Sequence, residues 1–228
     1  MALFPRLNLP WDLSPEQARA LQAAWRDRVL SLPLPAPPRL LAGLDVSYPQ
    51  PDVARAAAVV LTYPDLELIE VATAQRGVTF PYRPGLLAFR EGPVLLEVLA
   101  RLHTRPDVLF FDGHGIAHPR GLGLAAHLGL MLDWPSLGCA KAPLIPPAVP
   151  PDRERGHYAP ISLQARLIGA AVRTQTDVRP VYVSIGHRID LETAVQLVLT
   201  SAPRYRLPEP LRLAHHYATQ AVTAQAGA

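Results

Sequence analysis

The chain has one cysteine, Cys139, in 228 residues. That excludes an internal disulfide framework and any cysteine-rich metal site, and it fits a reducing, cytoplasmic setting. Cys139 falls in an apolar run and reads as a small packing residue. No apolar run approaches the roughly 20 residues of a membrane helix, and the N-terminus lacks the basic-then-apolar pattern of a leader, so no membrane partner is expected. No segment repeats another. The formal charge of +3 is small although the pI is about 9.3, which permits a nucleic-acid partner without requiring one. Lysine is the scarcest charged residue: 21 of the 22 basic residues are arginine, and Lys141 is the single exception. A compact ammonium does not substitute freely for a planar guanidinium, so Lys141 marks a place where a point charge is needed. Apolar residues, by contrast, are plentiful. They make up 49% of the chain, enough to fill a core and to exclude disorder, and the length suits one α/β domain.

Ser14-Pro15-Glu16-Gln17 predicts a helix start, with Ser14 as cap, Pro15 at the first helical position and Gln17 closing a capping box. Ala18, Leu21, Trp25, Arg28, Val29 and Leu32 continue at helical spacing, and Pro33 to Pro38 form a stiff linker that stops the helix. Nothing in this helix carries chemistry, and Trp11, like Trp134 further on, reads as packing. Leu40 to Tyr48 is the first strand, and Asp45 interrupts its apolar run. Residues 54–62 and 66–75 read as two more strands around Tyr63-Pro64-Asp65, completing an antiparallel meander. Thr79 to Gly85 is a loop stiffened by Pro81 and Pro84. Leu86 to Glu91 reads as a short helical turn, and Gly92-Pro93 restarts a helix to about Leu102, leaving Glu91 beside the junction. Val108 to Phe111 is a strand buried on both faces, and it ends in Asp112. Leu122 to Leu132 is a helix, Ser136 to Lys141 a strand, and residues 145–160 a proline-rich surface loop. Leu163 to Arg173 and Arg179 to Ile185 form a hairpin. Asp190 caps a helix to Thr200, and Pro208 and Pro210 introduce a last helix bearing Arg212, His215 and His216. His187, between a strand and a helix, reads as structural.

Three carboxylates stand out against this order. An acid within or just past a buried strand is costly unless it is paired or binds a metal. Asp45 and Asp112 occupy such positions, and Glu91 sits on the intervening helical segment. Three antiparallel strands, a helix and a fourth strand open a ribonuclease-H-like fold: a mixed sheet, antiparallel and then parallel, flanked by helices in a single α/β domain. There the first and fourth strands lie side by side in parallel, so Asp45 and Asp112 converge and Glu91 reaches the same point. Three carboxylates cluster only if their charge is neutralised, and an all-oxygen set calls for Mg²⁺ or Mn²⁺ rather than zinc. Such a site clamps the attacking and leaving oxygens of a phosphodiester displacement. After Asp112, the glycines 113, 115, 121 and 123 let backbone approach a ligand, and His114, His118 and Arg120 stand among them.

These residues carry a family resemblance. Ala42-Gly43-Leu44-Asp45-Val46-Ser47-Tyr48, Pro81-Tyr82-Arg83-Pro84-Gly85-Leu86-Leu87-Ala88-Phe89-Arg90-Glu91 and Phe111-Asp112-Gly113-His114-Gly115 resemble bacterial endonuclease V, the deoxyinosine-specific repair endonuclease. So do Ala117 to Ala125, Gly138-Cys139-Ala140-Lys141, Ser184 to Arg188 and Tyr205 to Pro210, in the family's order across roughly residues 40–216. The resemblance implies one catalytic domain over residues 1–228, with the helix and linker of residues 1–38 packed on it. It implies Asp45, Glu91 and Asp112 as ligands of Mg²⁺, with Mn²⁺ as substitute, and Lys141 as an active-site lysine. His215 is favoured over the adjacent His216 as the histidine near the metal. Pro81, Tyr82, Arg83 and Pro84 match a strand-separating wedge, with Gly85 and Leu87 on its substrate side; Arg83 departs from the apolar residue common there. Gly113, Gly123 and Ala140 match small residues of a base pocket, and Arg90 and His118 match polar residues close to the strand. The implied activity is hydrolysis of the second phosphodiester bond 3′ to deoxyinosine, leaving a 3′-hydroxyl and a 5′-phosphate. The implied partners are DNA with deaminated bases and, further, inosine-containing RNA, met by a monomer in the cytoplasm. Two other readings compete. A different ribonuclease-H-like nuclease, such as a junction resolvase, has no use for a wedge, and an inosine-binding module without cleavage has no need of all three acids.

Overall fold

The computed structural model describes residues 3–7 and 9–220. Its first element, α1 (Pro15–Trp25), begins with the expected capping box: the Gln17 amide donates to the Ser14 hydroxyl, and the Ser14 amide to the Gln17 side chain. The helix ends at Trp25, and a short 3₁₀ turn over Arg26–Arg28 replaces the longer helix that the spacing predicts. The meander follows as β1 (Leu40–Gln50), β2 (Val53–Thr62) and β3 (Leu68–Gly77), paired antiparallel in that order.

Next, α2 (Leu87–Ala100) leads to β4 (Val108–Phe111), which pairs with β1 in parallel, Leu44 opposite Phe111. After α3 (Leu124–Leu132), β5 (Ser136–Ala140) adds to β4 in parallel. The edge is completed by β6 (Tyr158–Leu163), β7 (Arg166–Val172) and β8 (Val181–His187), all antiparallel. One eight-stranded sheet results, in the order β3-β2-β1-β4-β5-β8-β7-β6. Two helices close the chain, α4 (Leu191–Thr200) and α5 (Glu209–Thr219). Every residue of β4 and β5 is buried, as strands covered on both faces must be.

On one face Ala42, Leu44 and Leu109 pack with Ala18 of α1, Phe89, Val94 and Leu95 of α2 and Leu128 of α3. On the other, Leu41, Phe110 and Leu137 pack with Ala194 and Val198 of α4 and Leu211 of α5. Gly43 is the point of closest approach. A Cβ there would collide with the Pro210 carbonyl, so only glycine lets the backbone of α5 lie against β1. Among the described residues no helix is long and apolar enough to cross a membrane.

Two expectations fail. The helix does not restart at Gly92-Pro93: α2 is continuous from Leu87 to Ala100, with Pro93 inside it. The buried side chains of Phe89, Val94, Leu95, Val98 and Leu99 hold the turn together across the missing N–H, and tertiary packing overrides the local break. Nor are residues 145–160 all surface loop. Strand β6 begins at Tyr158 and turns back into β7 at Gln164-Ala165. Both turn residues have positive φ, 50° and 64°, which a tight hairpin turn demands and which Asn-Gly usually supplies. Gln-Ala gives no such signal. Pro160 is tolerated because β6 is the edge of the sheet.

Candidate active site

The pairing of β1 with β4 decides where the acids go. Leu44 stands opposite Phe111, and the Asp112 amide donates to the Leu44 carbonyl at 3.1 Å, so Asp45, within β1, and Asp112, just past β4, come side by side. Glu91 arrives from the buried face of α2, and Tyr48 of β1 donates its hydroxyl to Glu91 Oε1 at 3.1 Å. Lys141, the first residue after β5, forms an ion pair with Asp112. From α5, His215 shares a hydrogen bond of 2.7 Å between its Nδ1 and Asp45 Oδ2. The neighbouring His216 turns away to Gln220 and packs on Tyr217. Sequence order spreads these groups from residue 45 to residue 215, and the sheet edge gathers them.

Their protonation shows the strain of the gathering. Burial raises the Asp45 carboxyl above its usual range, and the Asp112 charge raises it further, against the His215 hydrogen bond and the Lys141 charge. Burial raises Glu91 to about 8; the Tyr48 hydrogen bond and Arg90 oppose that, while Asp45 and Asp112 add to it. Burial would lower the Lys141 ammonium, but the Asp112 charge and hydrogen bond outweigh it and hold Lys141 above its usual value. One lysine does not neutralise three acids.

Among the described residues no three His, Cys, Asp or Glu groups stand close enough together to hold a metal between them. Each acid is instead engaged by its own partner: Asp112 by Lys141, Asp45 by His215, Glu91 by Tyr48. Mg²⁺ does not need a closed protein cage. It keeps several waters and is held by one or two carboxylates together with substrate phosphates. The buried carboxyls of Asp45 and Glu91, hard oxygen donors, fit such an ion.

Beside the acids lies a cavity of about 150 Å³. One wall is the stiff loop, with Tyr82, Arg83, Pro84 and Gly85; Tyr82 is 68% exposed at its tip. The loop ends at Gly85, whose φ of +76° most side chains could not adopt. Gly123, Leu124, Leu87, His114 and His118 also line the cavity. His118 is 2% exposed, and burial, then the Arg120 charge, lowers it to about 4. Its Nδ1 accepts from the Arg120 amide at 3.1 Å, so the proton sits on Nε2, which donates to the Gly85 carbonyl at 3.0 Å. His118 is therefore a neutral, fully bonded ring. His114 presents a buried Nε2 without a hydrogen-bond partner.

Gly113, Ala140 and Arg90 are not on the cavity wall. Gly113 backs onto Leu124, and Ala140 is buried in its pairing with Tyr182. Arg90 donates to the Phe80 carbonyl at 2.8 Å and the Pro51 carbonyl at 2.9 Å, and its guanidinium lies 4.7 Å from the centre of the Tyr48 ring. It braces the root of the loop. Tyr48, Gln22, His114 and Leu144 belong to the site without having been assigned a role from sequence. Tyr48 carried the clearest signal, three residues beyond Asp45 and hence at the same end of β1. His187 proves structural: it is buried, accepts from the Leu30 amide and bonds Asp133. A larger hollow of about 630 Å³, lined by Leu32–Pro38 and Trp134, lies at the other end of the parallel strands, away from the acids.

A meander continued by parallel strands, with carboxylates at the lip where β1 meets β4, defines a ribonuclease-H-like α/β protein with a hydrolase-type site. The comparisons narrow this. The family model for endonuclease V matches residues 24–216. The endonuclease V of Roseiflexus sp. strain RS-1 is 49% identical over 205 residues, 90% of this chain and 92% of its own. The crystal structure of an endonuclease V from Streptomyces avermitilis superposes with a TM-score of 0.87 at 43% identity, covering 94% of this chain and 96% of its own. An endonuclease V from Ciona intestinalis, solved with a 24mer DNA containing an inosine followed by a ribo-adenosine, gives 0.78 at 26% identity, covering 89% and 95%. This chain belongs to the endonuclease V family, and with it to the nucleases that act on DNA.

Proposed function

We propose that this nuclease recognises deaminated bases in DNA, chiefly deoxyinosine, and hydrolyses the second phosphodiester bond 3′ to the lesion. One observation carries the reading: three carboxylates, the only lysine and a histidine meet at one sheet edge, beside a stiff aromatic-tipped loop and a base-sized cavity. The inosine-containing DNA bound by the Ciona relative supports the substrate class.

A base inside a duplex is read only after it leaves the stack, at a cost of a few kcal/mol. The Tyr82 ring, held by Pro81 and Pro84, is preorganised to fill the gap, and a ring stacked on a base contributes roughly 1–3 kcal/mol. The cavity then receives the extruded base. Asp45, Glu91 and Asp112 would hold Mg²⁺, or Mn²⁺ in its place, which polarises the phosphate and makes water a better nucleophile. His215 orients Asp45, and Tyr48 orients Glu91. The Lys141 ammonium, kept charged by Asp112, stabilises charge growing on the phosphate. Water oxygen bonds to phosphorus, the bond to the 3′ oxygen breaks and that oxygen takes a proton, leaving a 3′-hydroxyl and a 5′-phosphate. The same reading extends to inosine in RNA and to action as a monomer in the cytoplasm.

The test is a labelled duplex carrying one inosine, incubated with and without Mg²⁺. The expected product is a single nick at the second bond 3′ to the lesion, only with the metal. Equal cutting of an undamaged duplex would refute the lesion, and cutting without a divalent ion would refute the metal.

A further inference from the structure

Three donors converge on one carbonyl oxygen behind the cavity. The Gly85 oxygen accepts from Gln22 Nε2 at 2.9 Å, His118 Nε2 at 3.0 Å and Arg120 Nη2 at 2.7 Å. Gln22 comes from α1, otherwise remote from the acids, and is 1% exposed. Its amide nitrogen also donates to the Leu122 carbonyl at 2.8 Å, and its Oε1 accepts from Arg120 Nε at 2.5 Å. A side-chain amide has two N–H donors, and both are spent on backbone. Gln22 therefore has no donor left for a base.

What it joins matters more than what it touches. Gly85 closes the loop that carries Tyr82, and Leu122 leads into Gly123 and the first turn of α3; both segments line the cavity. The far root of the Tyr82 loop is tied separately, through Arg90 to Phe80. Among the described residues, Gly85 is where side-chain hydrogen bonds tie the loop to the segment of residues 118–122.

We propose that Gln22 is a positioning residue that fixes the width of the cavity, and through it which base the enzyme accepts. The claim rests on the reading of the cavity as the lesion pocket. A pocket that reads polar edges discriminates only while its groups hold hydrogen-bonding geometry, and a wall free to drift loses that before it loses affinity for DNA in general.

Two variants separate this role from mere packing. Gln22→Met keeps length and loses every bond. Gln22→Glu keeps the shape and the Arg120 bond but cannot donate to either carbonyl. The first measurement needs no substrate: hydrogen exchange in the free protein. Residues 82–89 and 121–127 should exchange about tenfold faster in both variants, the equivalent of one buried hydrogen bond, with β2 and α5 unchanged. The second is the ratio of Kd values in Ca²⁺ for a duplex with one inosine against the same duplex with guanine, which should shrink about tenfold, with guanine binding unaltered. Unchanged exchange in those segments would overturn the brace, and so would exchange that rises everywhere in both variants, since Gln22 would then be a general core residue. Faster exchange with an unchanged Kd ratio would overturn the link to specificity. Should the wild-type protein itself ignore inosine, the reading of the cavity fails along with that link, while the exchange result still decides the brace.

Discussion

At the acid cluster each carboxyl is held by its own polar partner: Asp112 by Lys141, Asp45 by His215 and Glu91 by Tyr48. At the cavity, a few residues away, the buried His118 is neutral and its bonds are already made. Glu91 is held near 8 by burial and by its fellow acids, whereas His118 is driven to about 4 and locked as a donor to backbone. The first region stores electrostatic tension that a cation and a phosphate can relieve. The second is rigid before anything binds. On the proposed function, chemistry and recognition use the same sheet edge with opposite physical means, and perturbations should tell them apart.

The largest effect is expected at the cluster. Asp112→Asn should lower cutting by about 10²–10³-fold or more, the scale of losing one preorganised charge, while the fold and lesion binding in Ca²⁺ survive. Near wild-type rates in Mg²⁺ would remove Asp112 from the chemistry. Next comes the loop. Tyr82→Ala should weaken binding to an inosine duplex by roughly 1–3 kcal/mol and affect single-stranded inosine DNA less, because little stacking is lost there. Binding curves on both substrates check this, and equal losses would make the ring an ordinary contact. Lys141→Arg should slow cutting on the order of tenfold, since a planar fork does not fit a point-charge site. Full activity in single-turnover assays would show the lysine to be replaceable.

The smallest effect is one of pH. Between the ordinary carboxyl value of 4.5 and about 8, folded Glu91 keeps a proton that the unfolded chain has lost. The stability this contributes is fully present below 4.5 and is lost as pH rises through 8. A divalent ion competes with that proton, so its affinity should rise over the same window. Thermal unfolding with and without Mg²⁺ at pH 5.5 and 8.5 should show the larger stabilisation at 8.5, and equal shifts would contradict the assignment. His118 in the cavity, already neutral over that window, should show no such dependence.

The two regions also differ in how far the sequence exposes them. Asp45 and Asp112 are visible because a carboxylate in or after an apolar run is expensive, and the meander follows from turns such as Tyr63-Pro64-Asp65. The capping box at Ser14 is a local motif and forms as read. Gln22 is invisible by the same logic. A glutamine in an amphipathic helix looks like any solvated polar residue, and its partners lie 63 and 100 positions away. The continuity of α2 through Pro93 and the Gln164-Ala165 turn are hidden for a related reason: tertiary packing, not local propensity, decides both. Arg90 beside Glu91 suggests a substrate contact; that it also braces the loop, by donating to the Phe80 and Pro51 carbonyls, is legible only in three dimensions.

The seating of α5 on Gly43 has a consequence for which changes the chain can tolerate. Position 43 touches no substrate and bears no side chain, yet any methyl there pushes against the Pro210 carbonyl and lifts the helix that carries His215. Asp45, two residues along β1, would lose its partner without itself moving. A silent position in the middle of a strand is thereby as exposed to mutation as the acids, and an inherited substitution there would resemble an active-site lesion in a protein whose active-site residues are all intact.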